Sequence, residues 1–343
     1  MTKKSEAAAR LEQVLGPIPK DFQDWGRMVN GNGSFSPSWR RNGIWAASVL
    51  AGSLGQDWMA KFTERESLPY LRFALAPKLL PNLAATVELA LQIDLLKGVP
   101  GFSGVRRQIR SQPEDGVIGH ARLQLEVAGL ELRRSGAVIL EYDRGPGKWK
   151  PDVVLSDQGR RVGVECRLLS PAVEVMEHMA TPDAPEKVID GWRRIGAMIF
   201  SKAGQPAGAG GWIRCELSEG MFVTSMANFE STVASLPLAQ KAEALGRGTR
   251  QAFETVGELH GIVWSSPVMH DSTSQNERHD PGNGDIALRA RLPGNRIHEV
   301  FIIPNQYATE SECEMWAELY SGESSWLEWA VNAVGIEEHV DPL

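Results

Sequence analysis

The stretch KPDVVLSDQGRRVGVECR, residues 150–167, reads as a tight β-hairpin that sets two carboxylates side by side. Val153 to Leu155 and Val162 to Val164 are apolar runs of strand type, and Ser156 to Arg160 between them has turn composition. With Gln158 and Gly159 as the turn residues, Asp157 faces Arg160, and residues whose numbers sum to 317 pair. Asp152 then lies opposite Glu165. Directly opposed side chains have Cβ atoms ~5 Å apart, and like charges there repel. A proton or a cation between the carboxylates removes that repulsion. The hairpin is therefore a candidate divalent-metal site.

Strand periodicity extends the site. Side chains alternate with period two, so Asp152, Val154 and Ser156 share one face. Glu165 and Arg167 share a face on the second strand, and Val164, Cys166 and Leu168 point the other way. The apolar face suits packing on a helix. In the same register Lys150 lies opposite Arg167, so two cations stand beside two anions.

Pro151-Asp152, twelve intervening residues and then Glu165-Cys166-Arg167 resemble the motif of the PD-(D/E)xK nuclease superfamily. The segment before the hairpin fits the same pattern, which has a Glu-bearing helix at that place. Residues 119–136 read as a helix with Arg133 and Arg134 in its last turn and Gly136 as its left-handed terminator. Glu126 falls near Leu123 and Leu130 on the wheel, at the edge of the buried stripe. The resemblance covers roughly residues 117–218, about a third of the chain. It implies an α/β fold: a restriction-endonuclease-like αβββαβ core with a mixed sheet, here behind an N-terminal helical region.

The resemblance also implies a chemistry, metal-dependent phosphodiester hydrolysis of DNA or RNA. Asp152, Glu165 and the Cys166 carbonyl are the implied ligands of Mg2+ or Mn2+. Glu126 acts through water or on a second ion. The family's lysine is replaced by Arg167. Arginine can clamp a phosphate bidentately, but it is a poor proton acceptor. Either Lys150 takes the lysine's place in orienting the nucleophile, or the site is degenerate. In the second case the protein binds nucleic acid, or scaffolds, without cutting. An unrelated α/β protein whose hairpin acids are simply ion-paired is the third reading: Asp152 with Lys150 or Arg167, Glu165 with Arg167, Glu126 with Arg122.

Composition bounds these readings. The 343 residues, 42% hydrophobic and 23% charged, suit a globular protein of one large or two small domains. No apolar run approaches the ~18 residues of a membrane span, and the N-terminus lacks the apolar core of a signal peptide. Cys166, Cys215 and Cys313 form neither a zinc pattern nor a disulfide framework, which suits the cytoplasm. A net charge of −7 argues against nonspecific coating of nucleic acid. Residues 101–216, however, carry 17 Lys/Arg against 15 Asp/Glu, while the rest carries 19 against 28. Arg106-Arg107, Arg110, Arg133-Arg134, Arg160-Arg161 and Arg193-Arg194 are available to phosphates, although any single pair reads more simply as a solvated helix face.

The organisation expected is a helical N-terminal domain over residues 1–112, a nuclease-like domain over 113–306 and a C-terminal helical segment over 307–343. The first is expected to dock a partner or a second copy of the chain, or to select substrate. Helices are expected at Trp39 to Leu54, Ser67 to Leu79 and Pro81 to Lys97, with residues 101–116 as a linker. The core is expected as helix 117–135, strands 137–142, 152–156 and 161–169, helix 185–202 capped by Asp183 and stopped by Gly204, and strand 211–218. A helix at 238–257 and strands at 261–265 and 299–303 complete it.

Weaker features carry blander readings. His270-Asp271 and His279-Asp280 are two His–Asp pairs of a kind that can bind a metal, but they lie in a polar stretch, Met269 to Asp285, that reads more simply as a surface excursion. GQPAGAGG, residues 204–211, precedes a strand and is a loop, not a dinucleotide fingerprint. Lys202 reads as a helix C-terminal cation, although the resemblance implies a second role, since some members of that superfamily point a lysine or glutamine of this helix into the site. The tryptophans read as core, except Trp149, which flanks the hairpin and could rest on a base or sugar.

Overall fold

The computed structural model describes residues 19–60, 80–111, 115–140, 151–169, 185–198, 211–217, 237–254, 258–267, 277–292 and 296–321. Its contacts divide the chain into two units. The first is Met1–Gly129 with Pro293–Arg296 and Ser324–Leu343, and the second is Leu130–Leu292 with Ile297–Glu323.

The described part of the first unit is helical. Helix α1, Phe22–Gly31, is capped by Asp21, whose carboxylate accepts from the Asp24 N–H at 2.7 Å. Helix α2, Pro37–Leu54, starts at Ser36, whose hydroxyl accepts from the Trp39 N–H, and proline takes the first turn. A 3-10 turn at Gln56–Trp58 and helix α3, Leu80–Leu96, follow. Residues 101–116 do not form a plain linker: Phe102–Ser111 is helix α4. Phe102, Val105 and Ile109 recur at helical spacing and are buried. The Trp58 indole N–H donates to the Ile109 carbonyl at 3.0 Å, and Phe22 stacks on Trp58 with centroids 5.9 Å apart.

Helix α5, Asp115–Ser135, begins in the first unit and ends in the second. Gly136 terminates it at φ +73°, and its N–H donates to the Leu132 carbonyl at 2.8 Å. Among the described residues eight strands then build one mixed sheet: β1 (Ile139–Leu140), β2 (Val153–Asp157), β3 (Arg160–Leu169), β4 (Gly211–Leu217), β5 (Leu259–Pro267), β6 (Arg278–Gly282), β7 (Asp285–Leu292) and β8 (Arg296–Pro304). Their order is β1-β2-β3-β4-β5-β8-β7-β6. The β1–β2 and β2–β3 pairs are antiparallel, β3–β4 and β4–β5 parallel, and β5–β8 antiparallel. The expectation of an α/β protein with a mixed sheet and helices N-terminal to it is met.

Helices α6 (Pro185–Ala197) and α7 (Leu238–Phe253) cover one face of the sheet. Trp192, Ile195 and Leu245 join Ile213, Cys215, Ile262, Trp264 and Phe301 in one buried cluster. The two helices approach through glycines. A Cβ on Gly248 would lie 2.0 Å from the Arg193 carbonyl oxygen, and one on Gly196 would lie 2.5 Å from that of Leu245. Helix α8, Glu310–Ser321, lies against the side chains that alternate to the other face. Trp316 packs on Trp212 at 5.9 Å between centroids, and the buried Arg214 donates to the Tyr320 hydroxyl at 2.6 Å and to Ser265 at 2.7 Å. Thr309 and Glu312 cap α8 reciprocally, and His260 contacts both Glu312 carboxylate oxygens at 3.1 Å.

One expectation fails in this unit. The polarity of residues 269–285 predicts a surface excursion, but Arg278–Gly282 and Asp285–Leu292 form a hairpin. Gly282 pairs with Asp285 around Asn283 and Gly284, both at positive φ (56° and 78°). That is the primed turn that Asn-Gly favours. His279 and Asp280 lie on β6, whereas His270 and Asp271 fall outside the described residues, as do Trp149, Asp183, Lys202, Gly204, Trp326 and Trp329.

Candidate functional site

The β2–β3 hairpin has the register read from the sequence. Asp157 pairs with Arg160, Ser156 with Arg161, Leu155 with Val162, Val154 with Gly163 and Val153 with Val164. Gln158 at φ 48° and Gly159 at φ 83° make the two-residue turn. Its tip is fastened to α8: the buried Asp157 carboxylate accepts from Arg160 at 2.8 Å and from the Ser311 hydroxyl at 2.6 Å.

At the open end of the hairpin the backbone ladder stops at Val153 and side chains continue it. The Asp152 carboxylate accepts from the Cys166 N–H at 2.8 Å. Glu165, only 5% exposed, is ion-paired with Arg167. Arg167 also donates to the Cys166 carbonyl at 3.1 Å. Asp152, Glu165, Cys166 and Arg167 therefore meet at one place. The guanidinium sits on two of the three oxygen groups expected to hold a metal ion. Arg167 retains 25% side-chain exposure, so this cation lies at the surface of the site.

Parallel pairing with β4 sets what lies beside it. Glu165 is level with Ile213 and Arg167 with Cys215, so the site shares its sheet face with the start of the apolar cluster under α6 and α7. Burial pushes the Cys215 thiol up to about 12, despite the opposing pull of Arg214 and Arg167. The thiol is therefore protonated at neutral pH and a poor nucleophile. Cys166 is fully buried with its side chain on the other face, so only its backbone carbonyl faces the site's chemistry.

Glu126 is placed differently from its neighbours in the motif. It belongs to the first unit and is fully buried, not half-sunk as its wheel position suggests. Arg122 lies 3.6 Å from its carboxylate and 4.0 Å from that of Glu88, also fully buried. Lys150 falls outside the described residues. Among the described residues no group of three or more His, Cys, Asp and Glu side chains clusters as metal ligands.

The α5 acid that reaches the hairpin is Glu131, which the motif does not single out. Its fully buried carboxylate accepts from the Ser156 N–H at 2.8 Å and is held by Arg134 at 3.0 Å. Arg134 also donates to the Ser156 carbonyl. The helix end thus satisfies both outward backbone groups of Ser156, as another strand would. A sequence signal exists, since Glu131 and Arg134 stand three apart at a helix C-terminus.

Fold and site together define an α/β protein with an acid–arginine cluster at the open end of a sheet hairpin. Comparison with known protein families, with curated proteins and with solved structures found no match for the chain. Among the described residues no helix is long and apolar enough to cross a membrane.

Proposed function

We propose that this protein is a metal-dependent phosphodiester hydrolase acting on DNA or RNA, with its site at the open end of the β2–β3 hairpin. The observation that carries this reading is that Glu165 and the Cys166 carbonyl share one cation, the Arg167 guanidinium, while the Asp152 carboxylate accepts from the N–H of the same Cys166. The element order supports a restriction-endonuclease-like core: helix α5, the antiparallel run β1-β2-β3, helix α6, then β4 parallel to β3.

The residues present suit the implied ion. Two carboxylates and a carbonyl are hard oxygen donors, the set that Mg2+ and Mn2+ prefer. Glu165 and the Cys166 carbonyl already accept a positive charge, so an ion there replaces an existing counter-charge. Asp152, Glu165 and the Cys166 carbonyl would hold it, and once bound it would acidify a water and neutralise phosphate charge. The Asp152 hydrogen bond fixes the Cys166 peptide and thereby aims its carbonyl. Arg167 leaves Glu165 and clamps a nonbridging phosphate oxygen in its planar fork. It takes no proton, because a guanidinium offers donors and no acceptor. Incubation with single- and double-stranded DNA and RNA in Mg2+ or Mn2+ tests the reading. Cleavage is expected, and cleavage that survives Asp152→Ala combined with Glu165→Ala would overturn it.

A second reading is favoured by the same guanidinium. With Arg167 seated on both Glu165 and Cys166, the site can stand as a self-neutralised cluster in a nuclease fold that binds nucleic acid, or scaffolds, without cutting. That reading expects no metal-dependent cleavage from the protein or from Arg167→Lys.

A further inference from the structure

Helix α4 presents a cationic face of its own. Arg106, Arg107 and Arg110 are exposed, and the helix contains no acidic residue. At 3.6 residues per turn the three positions span an arc of about 100°, and Arg106 and Arg110 stand about 6 Å apart along the axis. The helix is held firmly beneath them. Phe102, Val105 and Ile109 are at most 3% exposed, the Trp58 indole grips the Ile109 carbonyl, and the Ser111 hydroxyl donates to the Arg107 carbonyl at 2.8 Å.

These arginines differ from others on the surface. Arg27 pairs with Asp24, Arg193 and Arg194 with Asp190, Arg247 with Glu243 and Arg278 with Glu314. Among the described residues, no carboxylate pairs with Arg106, Arg107 or Arg110. Three unneutralised guanidinium groups on one rigid helical turn are unfavourable in isolation, and more conspicuous on a chain of net charge −7. A dense anion relieves that repulsion.

We propose that the α4 face of the first unit binds the phosphate backbone of nucleic acid. A duplex carries one negative charge per ~1.7 Å of its axis, so the ~6 Å between Arg106 and Arg110 spans three to four phosphates. Planar guanidinium forks match phosphate oxygens bidentately. The choice of nucleic acid rests on the proposed function, but the binding does not require the hairpin site to cut.

The test is fluorescence anisotropy of a labelled 20-bp DNA duplex in EDTA, titrated across a salt series. The full chain binds, and Arg106→Gln, Arg107→Gln and Arg110→Gln together weaken binding ~100-fold at 50 mM salt and flatten the log–log salt slope by about 2.7, some 0.9 per arginine. Replacing all three by lysine keeps most of the slope, and Arg27→Gln with Arg247→Gln leaves it unchanged. If the triple glutamine variant unfolds, Arg107→Gln and Arg110→Gln are read singly, each flattening the slope by about 0.9. Binding and slope unchanged in the glutamine variants would overturn the proposal. So would a full chain that does not bind the duplex, or displacement of the duplex by poly-glutamate at equal charge, which would make the surface one for acidic protein. Because EDTA removes cleavage from this measurement, a chain that binds through α4 and never cuts sinks the hydrolase reading alone.

Discussion

The Asp152 carboxylate accepts a hydrogen bond from the Cys166 N–H at 2.8 Å, fourteen residues along the chain. One strand's acid thereby takes the place of a backbone acceptor on the next, just where the ladder of β2 and β3 ends. Cys166 is fully buried, so its N–H depends on that oxygen. Asp152→Ala is expected to cost about 2 kcal/mol of unfolding free energy, and Asp152→Asn, which keeps an acceptor, less than half as much. Urea unfolding measures both. Equal losses in the two variants would show that the bond does not hold the hairpin end.

Glu131 is expected to matter more to stability than its motif-bearing neighbours suggest. Glu131→Ala removes the acceptor of the Ser156 N–H and the buried partner of Arg134, whose side chain is 22% exposed. A loss of about 2–3 kcal/mol follows, with early hydrogen exchange at Ser156. Glu131→Gln recovers the N–H bond and roughly half the loss. Unaltered protection of the Ser156 amide in Glu131→Ala would contradict the arrangement.

Two glycine substitutions are expected to act in opposite directions. Gly248→Ala forces a methyl to 2.0 Å from the Arg193 carbonyl oxygen, so α6 and α7 must part. The cost is about 1–3 kcal/mol. Gly52 lies within α2, and a Cβ added there would meet nothing within 4 Å, so Gly52→Ala stabilises by about 0.5–1 kcal/mol. Thermal melts of both variants check the pair, and a neutral Gly248→Ala would show that the helices are not in such close contact.

The three thiols are expected to be silent in the folded protein. All are buried, and burial lifts Cys215 to about 12 and Cys313 to about 11. At pH 8 Ellman's reagent should react with none quickly, and with three once the chain is unfolded. One fast-reacting thiol in the native state would contradict the packing around it.

The register of the central hairpin is legible in the sequence because two signals agree: a two-residue turn ending in glycine and alternating apolar runs on either side. The β6–β7 hairpin carries the same kind of turn at Asn283-Gly284. The polarity of residues 269–285 hides it, since β6 is an edge strand whose side chains are largely solvated. Helix α4 is masked by Gly101, Gly104 and its arginines, though Phe102, Val105 and Ile109 keep helical spacing. The Glu131–Arg134 pair is legible as i,i+3 spacing, but its reach to Ser156 is set by helix–strand packing, which no spacing within α5 encodes. Arg167 can be read as a departure from the lysine of the motif the hairpin resembles, but its seat on both Glu165 and the Cys166 carbonyl depends on the rotamer the folded site selects.

Calorimetric titration of the full chain with Mn2+ asks whether the hairpin end is a cation site at all, before any question of what it cuts. One site is expected in the native protein, lost in Asp152→Asn combined with Glu165→Gln. Binding is expected to tighten in Arg167→Gln, where the competing guanidinium is gone, with a matching rise in melting temperature on adding Mn2+. Mn2+ binding that is absent from both the native protein and Arg167→Gln, or that persists undiminished in the double variant, would contradict a metal site built on Asp152 and Glu165.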